Sequence, residues 1–298
     1  MNGGKTTTSS ADAIGISISV LVIAHPDDES MFFLPTIRAC QTQKDSSWDE
    51  FWILCLTIGD YDGLGAVRTK ELEKVCNTNL LHVDELIQLD DQALLDHPTQ
   101  SWNVEHAYGC IREALRRKLD EKRKDWGDQS TVHLKVLTFD DEGVSGHINH
   151  RDCHYAVCLF DLKIREEVRS GNKKTLKAKL PGVESMEVWT LETIRNPIRK
   201  YIPVIEWIRL VAFTLTTLGV AILPLWACAR HLNPASLIHG REVMTCRLND
   251  PLLNWRAMAA HHSQFVWYRR LFVIFSCYTY VNVLRRLGSD ESRTKEVQ

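Results

Sequence analysis

Short apolar runs alternate with longer amphipathic stretches along the first half of the chain. Four apolar runs predict buried strands, at 16–23, 51–58, 85–89 and 133–139. Three intervening stretches predict helices, at 29–43, 66–79 and 103–121. Near-continuous apolar runs are typical of parallel strands that are covered on both faces. The alternation therefore predicts an α/β fold with a Rossmann-like, doubly wound, mostly parallel sheet and right-handed crossovers.

A longer apolar segment at 210–228 interrupts this pattern. It runs for 19 residues without a charge, close to the ~20 residues with which a helix crosses a bilayer core. A buried core helix is the alternative. Gly219 and Pro224 interrupt the run, and positive charges flank it on both sides. A break at these residues would permit a re-entrant or interfacial element as well as a single crossing, and the balanced charges give no strong bias for the orientation. The shorter apolar run at 271–284 is expected to pack on the domain or to lie at the interface.

The first apolar run leads directly into a short polar segment. Residues 24–29 are Ala-His-Pro-Asp-Asp-Glu, and Pro26 stops the strand because its ring fixes φ and it has no backbone N–H. One imidazole and three carboxylates therefore lie at the carboxyl end of a strand, where open α/β sheets place their ligand sites. Nitrogen and oxygen ligands suit a divalent metal such as zinc. The alternative is an acidic turn with a helix-capping aspartate.

A second polar cluster, far along the chain, favours the metal site over the acidic turn. It is Thr138-Phe-Asp-Asp-Glu-Gly-Val-Ser-Gly-His-Ile-Asn-His150, and it also follows an apolar run. His147 and His150 are three residues apart, so one helical turn would place both imidazoles on one face. The two clusters can together supply the three protein ligands that a catalytic zinc typically takes, with a fourth position kept for water.

These two clusters resemble those of the PIG-L/LmbE-like de-N-acetylases, and most closely their eukaryotic members. Two further stretches share the resemblance, 62–72 and 262–270, so that it covers roughly residues 16–195 and 258–287. The chain departs from the family at Asp60-Tyr61, where the family usually has Asn-Ala, and in a long insertion between 200 and 257. The resemblance implies a metal-dependent hydrolase that removes acetate from N-acetylglucosaminyl-phosphatidylinositol during GPI-anchor biosynthesis.

The resemblance also implies roles for individual residues. His25, Asp28 and His150 would be the metal ligands, with Zn²⁺ as the expected ion. Asp27 would be the general base that takes a proton from the attacking water. His147 would act as general acid or as a stabiliser of the oxyanion. The substrate and the membrane are the expected partners, and the expected location is the endoplasmic reticulum membrane with the catalytic domain facing the cytosol. Since the resemblance assigns 262–270 to that domain, we expect 210–228 to enter the membrane from the cytosolic face as a re-entrant or interfacial element.

Three other residues near the motifs each have two interpretations. Arg68 is expected to bind the phosphate of the glycolipid, or else to pair on a helix surface with Glu71 or Glu73. Asp140 could orient a histidine from behind, or could serve as a residue of the turn that ends the strand. Glu29 is expected to stabilise the first turn of the following helix.

With the resemblance, the pattern divides the chain into five parts. We predict a disordered N-terminus at 1–13, a catalytic domain at 14–200, a membrane-associated insertion at 201–257, a C-terminal part of the catalytic domain at 258–287 and a disordered tail at 288–298. The charged stretches at 120–128 and 163–179 are predicted to be solvated loops.

The charge and the cysteine content of the chain argue against two classes of protein, those that bind nucleic acid and those held together by disulfides. The formal charge of −2 gives no electrostatic basis for binding nucleic acid. Nine cysteines without a C-x-x-C pair indicate reduced thiols in the cytosol, and the polar N-terminus lacks the apolar core of a signal peptide. The remaining histidines considered are predicted to be isolated and without a role in the site: His82, His97, His106 and His133.

Two other functions stay open at this stage. One is a de-N-acetylase of a small soluble N-acetylglucosamine conjugate, against which the apolar segment at 210–228 argues. The other is a non-catalytic membrane scaffold, which would have little reason to keep all five polar side chains of the proposed site. Metal content, together with acetate release from the glycolipid and from its water-soluble headgroup, would separate these functions.

Overall fold

The structure is a computed structural model of the 298-residue chain. It describes residues 15–42, 49–78, 80–127, 130–170, 180–205, 208, 241–245 and 252–288. The predicted membrane segment at 210–228 lies outside the described residues, as do residues 1–13 and the tail from 289 onward. Within the described ranges, no helix combines the length and the apolar character that a bilayer crossing requires.

A seven-stranded sheet with the order β3-β2-β1-β4-β5-β7-β6 forms the centre of the described structure. Its strands are β1 Gly15–Ile23, β2 Glu50–Cys55, β3 Glu85–Gln88, β4 Thr131–Phe139, β5 Val183–Leu191, β6 Arg241–Thr245 and β7 Val281–Arg286. The first five strands pair in parallel, whereas β7 runs antiparallel to both β5 and β6. The predicted α/β fold with a mostly parallel sheet is therefore confirmed.

Nine helices have both of their ends within the described residues. They are α1 Asp28–Phe32, α2 Leu34–Thr42, α3 Gly65–Asn77, α4 Val104–Trp126, α5 Gly143–Gly146, α6 Ile148–Ser170, α7 Pro197–Tyr201, α8 Leu253–Ala260 and α9 Trp267–Phe275. The single helix predicted at 29–43 is divided at Phe33 into α1 and α2. Pro35 explains this break, since it has no N–H to donate to the carbonyl four residues earlier.

Two helices extend through charged stretches that the sequence predicts to be loops. α4 continues to Trp126 and α6 continues to Ser170, so the predictions for 120–128 and 163–179 are wrong over these helical parts. Leu119 and Trp126 are buried on one face of α4, as Phe160 and Ile164 are on α6. These apolar faces hold the two helices against the rest of the domain, while the charges lie on the other faces.

The apolar run at 271–284 folds onto the domain. It contains the end of α9, a 3₁₀ turn at Cys277–Thr279 and the start of β7, which extends the sheet beside β5. Neither β7 nor its neighbour β5 was among the four strands predicted from the sequence. The sheet is therefore completed by a strand from the far C-terminal part of the chain.

The order of the strands determines where a ligand site can lie. The chain passes from β1 to β2 and β3 on one side, and then crosses to β4 on the other side of β1. Such a reversal leaves a crevice at the carboxyl ends of the two central strands. Both polar clusters recognised in the sequence follow these two strands, so the fold brings them together.

Candidate active site

The loop after β1 begins the site with a strained residue. Asp27 has a φ of 107°, in the left-handed region where a side chain other than glycine costs about 1–3 kcal/mol and is retained only when its surroundings fix it. The Asp27 amide donates to Glu29 Oε2 at 3.1 Å, and its carbonyl accepts from the amides of Ser30 and Met31. The first turn of α1 therefore fixes the position of the Asp27 carboxylate.

Asp28 lies between the two polar clusters and contacts both of their histidines. Its Oδ2 accepts from the backbone amides of Ala24 and His25 at 3.2 and 2.9 Å. Its Oδ1 is 3.1 Å from His150 Nε2, and its Oδ2 is 3.7 Å from His25 Nδ1. Burial alone would raise the pKa of Asp28, but the charges and hydrogen bonds of His150 and His25 lower it well below its usual range. The carboxylate is therefore ionised.

His150 is oriented from behind by a backbone carbonyl. Its Nδ1 lies 3.0 Å from the carbonyl of Gly143, and its ring stacks on Phe139 with the centroids 4.2 Å apart. When Nδ1–H donates to this carbonyl, the lone pair of Nε2 points towards Asp28. A cation between His150 Nε2 and the Asp28 carboxylate would then be stabilised by both. Gly143 has a φ of 65°, and a Cβ on it would lie 2.8 Å from His150 Cβ. Only glycine permits this approach.

A third imidazole completes the cluster. The ring centroid of His147 lies 4.8 Å from that of His25 and 5.2 Å from that of His150. One nitrogen from each of the three histidines lies within 4.8 Å of the others. Burial and the positive charges of His25 and His150 lower the pKa of His147 to about 4. His147 is therefore neutral near pH 7, and it can donate a hydrogen bond from one ring nitrogen without being an imidazolium.

Two residues that the sequence analysis missed bind the far side of His25. Its Nε2 lies 3.2 Å from Asp96 Oδ1 and 3.3 Å from Asn149 Oδ1. Burial alone would lower the pKa of His25, but Asp28 and Asp96 raise it to about 10. Burial would likewise raise the pKa of Asp96, but His25 and Arg68 lower it to about 2. The position of Asp96 after a predicted strand was the available signal, and Asn149 lies between the two histidines of the second motif.

Arg68 connects three loops of the site. Its Nη1 donates to the Gly59 carbonyl at 2.9 Å and to Asp96 Oδ2 at 3.1 Å, and its Nη2 donates to the Pro26 carbonyl at 2.8 Å. A Cβ on Gly59 would lie 2.5 Å from the Arg68 Cζ, so glycine is needed there too.

The contacts of Arg68 exclude one of its two predicted roles. The predicted surface pairing of Arg68 is wrong, because its side chain is only 9% exposed and its partners come from other loops. Glu71 instead accepts hydrogen bonds from Ser263. Its Nη1 and Nη2 thus hold the site loops in place through protein oxygens, and phosphate binding by Arg68 stays a prediction.

Arg269 is a second basic residue at the site, and sequence reasoning did not single it out. Its Nη1 donates to Asp27 Oδ2, and Arg68 Nη2 lies 3.7 Å from the same oxygen. Burial alone would lower the pKa of Arg269, but the Asp27 charge raises it above its usual range. Arg269 belongs to α9, and its only signal in the sequence was its place in the 262–270 stretch. The C-terminal part of the chain therefore covers the site loop.

The remaining two residues from the motifs hold the backbone of the site. Asp140 accepts from the amides of Glu142 and Gly143 and from the amide and hydroxyl of Thr193. Its hydrogen-bond partners in the described chain thus include no histidine, and they are those of a residue that holds a turn. It orients His150 only through the Gly143 carbonyl. Glu29 lies in the first turn of α1 as expected, and it also contacts His261 Nε2 at 2.6 Å.

The donor set fits a divalent metal ion. In a tetrahedral site with nitrogen and oxygen ligands at about 2.0–2.1 Å, neighbouring ligand atoms lie about 3.3–3.4 Å apart. His150 Nε2 lies 3.1 Å from Asp28 Oδ1 and His25 Nδ1 lies 3.7 Å from Asp28 Oδ2, so each histidine is near that distance from one oxygen of the carboxylate. With an ion bound, His25 and His150 would be neutral imidazoles, and two imidazoles with one ionised carboxylate are a set that zinc and related ions accept.

Comparison with known proteins agrees with this geometry. Residues 20–160 match the family described as PIG-L: GlcNAc-PI de-N-acetylase. The chain contains a PIG-L domain. This PIG-L domain spans β1 to the middle of α6 and so includes His25, Asp28 and His150. Arg269 lies beyond it in the sequence, although its guanidinium is in the site.

Similar proteins extend the likeness beyond the PIG-L domain. The N-acetylglucosaminyl-phosphatidylinositol de-N-acetylase of Bos taurus is 29% identical over 276 residues, which cover 92% of this chain and 85% of the bovine one. A Schizosaccharomyces pombe protein named as a probable enzyme of the same kind is 28% identical over 287 residues, covering 96% and 93% of the two chains.

A solved structure shares the fold. The N,N'-diacetylchitobiose deacetylase from Pyrococcus horikoshii has a TM-score of 0.54, and the match covers 94% of this chain and 88% of that one. At 14% identity, this likeness concerns the fold alone.

Proposed function

We propose that the protein is a metal-dependent hydrolase that removes acetate from N-acetylglucosaminyl-phosphatidylinositol in GPI-anchor biosynthesis. One observation carries this proposal. A PIG-L domain places two histidines around the ionised carboxylate of Asp28, at the carboxyl ends of β1 and β4. The similar proteins named for this reaction support the substrate, since they align with nearly the whole chain.

We assign His25, Asp28 and His150 as the metal ligands, and Zn²⁺ as the ion. Asp28 supports this choice, because backbone amides fix its carboxylate and it adjoins both histidines. When bound, the ion would polarise the acetyl carbonyl and lower the pKa of a coordinated water. His150 would bind through Nε2, since the Gly143 carbonyl holds the proton on Nδ1.

Asp27 and His147 have the protein's own acid–base roles in this proposal. Asp27 accepts the proton of the attacking water at its carboxylate, and Arg269 and Arg68 keep that carboxylate in place. His147 donates a hydrogen bond to the oxyanion that forms from the acetyl carbonyl. Its low pKa supports this role over that of an imidazolium acid. The proton on Asp27 is then available for the departing glucosamine nitrogen.

The metal assignment predicts that activity and metal content are lost together. Asp28→Ala and His150→Ala should each lose the zinc ion of this site, one ion per chain, together with acetate release from the glycolipid, because each removes one of three ligands. Chelation of the wild-type protein should abolish acetate release, and added zinc should restore it. His133→Ala is the matched control, since His133 lies on β4 but contacts Ser185 outside the site. Full zinc occupancy in either ligand variant would contradict the assignment.

We also place the protein at the endoplasmic reticulum membrane, with the catalytic domain facing the cytosol. An apolar surface of α9 supports this location. Its large side chains are exposed although they are apolar: Trp267, Tyr268, Leu271, Ile274 and Phe275. Arg269 lies on the same helix and contacts Asp27, so the helix that carries this surface adjoins the site. Trp and Tyr rings are favoured at the headgroup level of a bilayer, where the sugar of the glycolipid projects.

The membrane proposal predicts a defect that depends on the form of the substrate. Leu271→Glu should lower acetate release from glycolipid in vesicles by about tenfold or more, since burying a leucine contributes about 1.5–3 kcal/mol. Its activity on the water-soluble headgroup should stay near that of wild type. Leu162→Glu, at an exposed leucine of α6, is the control. Equal losses on both substrates would show that this surface packs on protein instead of lipid.

A further inference from the structure

A second cluster of metal-binding side chains lies outside the active site. Asp91 comes from the loop after β3, and His106 and Cys110 come from successive turns of α4. The prediction that His106 is isolated is therefore wrong. We propose that Asp91, His106 and Cys110 form a second metal site, which takes a zinc-class divalent ion through carboxylate, imidazole and thiolate.

The spacing of the three ligand atoms carries this proposal. Asp91 Oδ2 lies 2.9 Å from His106 Nε2 and 3.4 Å from Cys110 Sγ, and the sulfur lies 3.5 Å from His106 Nε2. Bond lengths of about 2.0–2.2 Å to nitrogen or oxygen and about 2.3 Å to sulfur place tetrahedral ligand atoms about 3.3–3.6 Å apart. A shift of a few tenths of an ångström in one distance would therefore admit the ion.

Local structure aims all three groups at one point. The amide of Ala93 donates to Asp91 Oδ1 at 2.8 Å, which leaves Oδ2 to face the helix. His106 and Cys110 are four residues apart, so they share a face of α4. Asn103 caps that helix through the amide of His106. The two helical ligands are thus held on a regular backbone before an ion binds.

The fourth position of this site is open to solvent. The His106 side chain is 44% exposed and the Asp91 side chain 33% exposed, so an ion can reach the cluster and keep a water ligand. On binding, the Cys110 thiol releases its proton to solvent and a sulfur–metal bond forms, with no change in oxidation state. Thiolate together with imidazole favours zinc or cobalt over magnesium or calcium.

The ion would join the active-site loop to α4. Asp91 belongs to the segment between β3 and α4, and the same segment carries Asp96, which contacts both His25 and Arg68. Further along it, the amide of His97 donates to Asn149 Oδ1. An ion at Asp91 would therefore fix one end of a loop whose middle touches the catalytic cluster.

Cobalt provides a direct test, because a thiolate–Co²⁺ bond gives a charge-transfer absorption that imidazole and carboxylate ligands do not give. Metal-stripped full-length protein is titrated with Co²⁺ and followed by absorbance and by metal analysis. Wild type should show this absorption and bind two ions per chain. Cys110→Ser should lose the absorption and bind one, whereas Asp28→Ala should keep the absorption and also bind one.

Two matched variants make the test specific. Cys40→Ser changes another partly buried cysteine, on α2, and should leave the absorption unchanged. Asp91→Asn should weaken Co²⁺ binding at the second site without removing the thiol. The proposal is overturned if saturating Co²⁺ produces no thiolate absorption in wild type, or if the absorption persists in Cys110→Ser. Because the readout is spectroscopic, it is independent of acetate release and of the proposed function.

Discussion

Asp27→Asn is expected to lower the rate of acetate release by about 10²–10⁴-fold, the usual contribution of a positioned acid–base group. The carboxamide has nearly the same shape as the carboxylate but cannot accept the proton of the attacking water. Asparagine also tolerates the left-handed backbone that this position requires. The measurement is the initial rate of acetate release from the glycolipid, at saturating zinc, for variant and wild type.

Metal analysis separates this outcome from loss of the site. Asp27 is not one of the assigned ligands, so Asp27→Asn should keep its zinc, unlike Asp28→Ala. Arg269 will lose a charged partner, and the variant should therefore be tested for folding by its unfolding curve. Asp62→Asn, on an exposed loop after β2, is the control for the substitution itself. A near-normal rate in Asp27→Asn would move the general base to another residue.

The centre of the site could be predicted from the sequence because its residues lie in two short segments, each directly after a strand. The first motif combines a strand, a proline and three carboxylates within fourteen residues, 16–29. His147 and His150 likewise follow their strand within one short segment. Strand ends of a parallel sheet converge by topology, so two local patterns were enough to place His25, Asp28 and His150 together.

The surroundings of the site could not be predicted in this way, because they depend on contacts between distant parts of the chain. Arg269 contacts Asp27 across 242 residues, and Glu29 contacts His261 across 232. No periodicity links such pairs, and a buried arginine looks like a surface arginine in the sequence. The roles of Arg68 and Asp140 were ambiguous for the same reason, since only the fold shows which loops they join.

The contact between Glu29 and His261 leads to the second large effect. His261→Ala is expected to lower the free energy of unfolding by about 3–5 kcal/mol, the usual cost of removing one partner of a buried ion pair. Both side chains are 0% exposed, and their closest atoms are 2.6 Å apart. Without the imidazole, Glu29 would remain as a buried carboxylate with less compensation. Urea unfolding of variant and wild type measures the difference.

The pair also gives stability a defined dependence on pH. Burial opposes both charges, but His261 lowers the pKa of Glu29 and Glu29 raises that of His261. The depressed pKa of Glu29 stabilises the fold above about pH 4.5, and this contribution is lost as pH falls through the folded-state pKa. The raised pKa of His261 stabilises below about pH 6.5, and this contribution is lost as pH rises through the folded-state pKa. The difference between wild type and His261→Ala should thus be largest between these values.

A double variant distinguishes an ion pair from simple packing at this place. His261→Ala leaves the Glu29 carboxylate buried without its charged partner, and Glu29→Gln removes that charge. The double variant Glu29→Gln/His261→Ala should therefore lose less free energy of unfolding than the two single variants lose together. Additive losses would show that the imidazole acts by filling space.

Glu29 also accepts the Asp27 amide through Oε2, so a Glu29 side chain displaced in His261→Ala would relax the strained Asp27 backbone. His261→Ala should therefore also lower the rate of acetate release under conditions where it is still folded, although His261 is assigned no part in the chemistry.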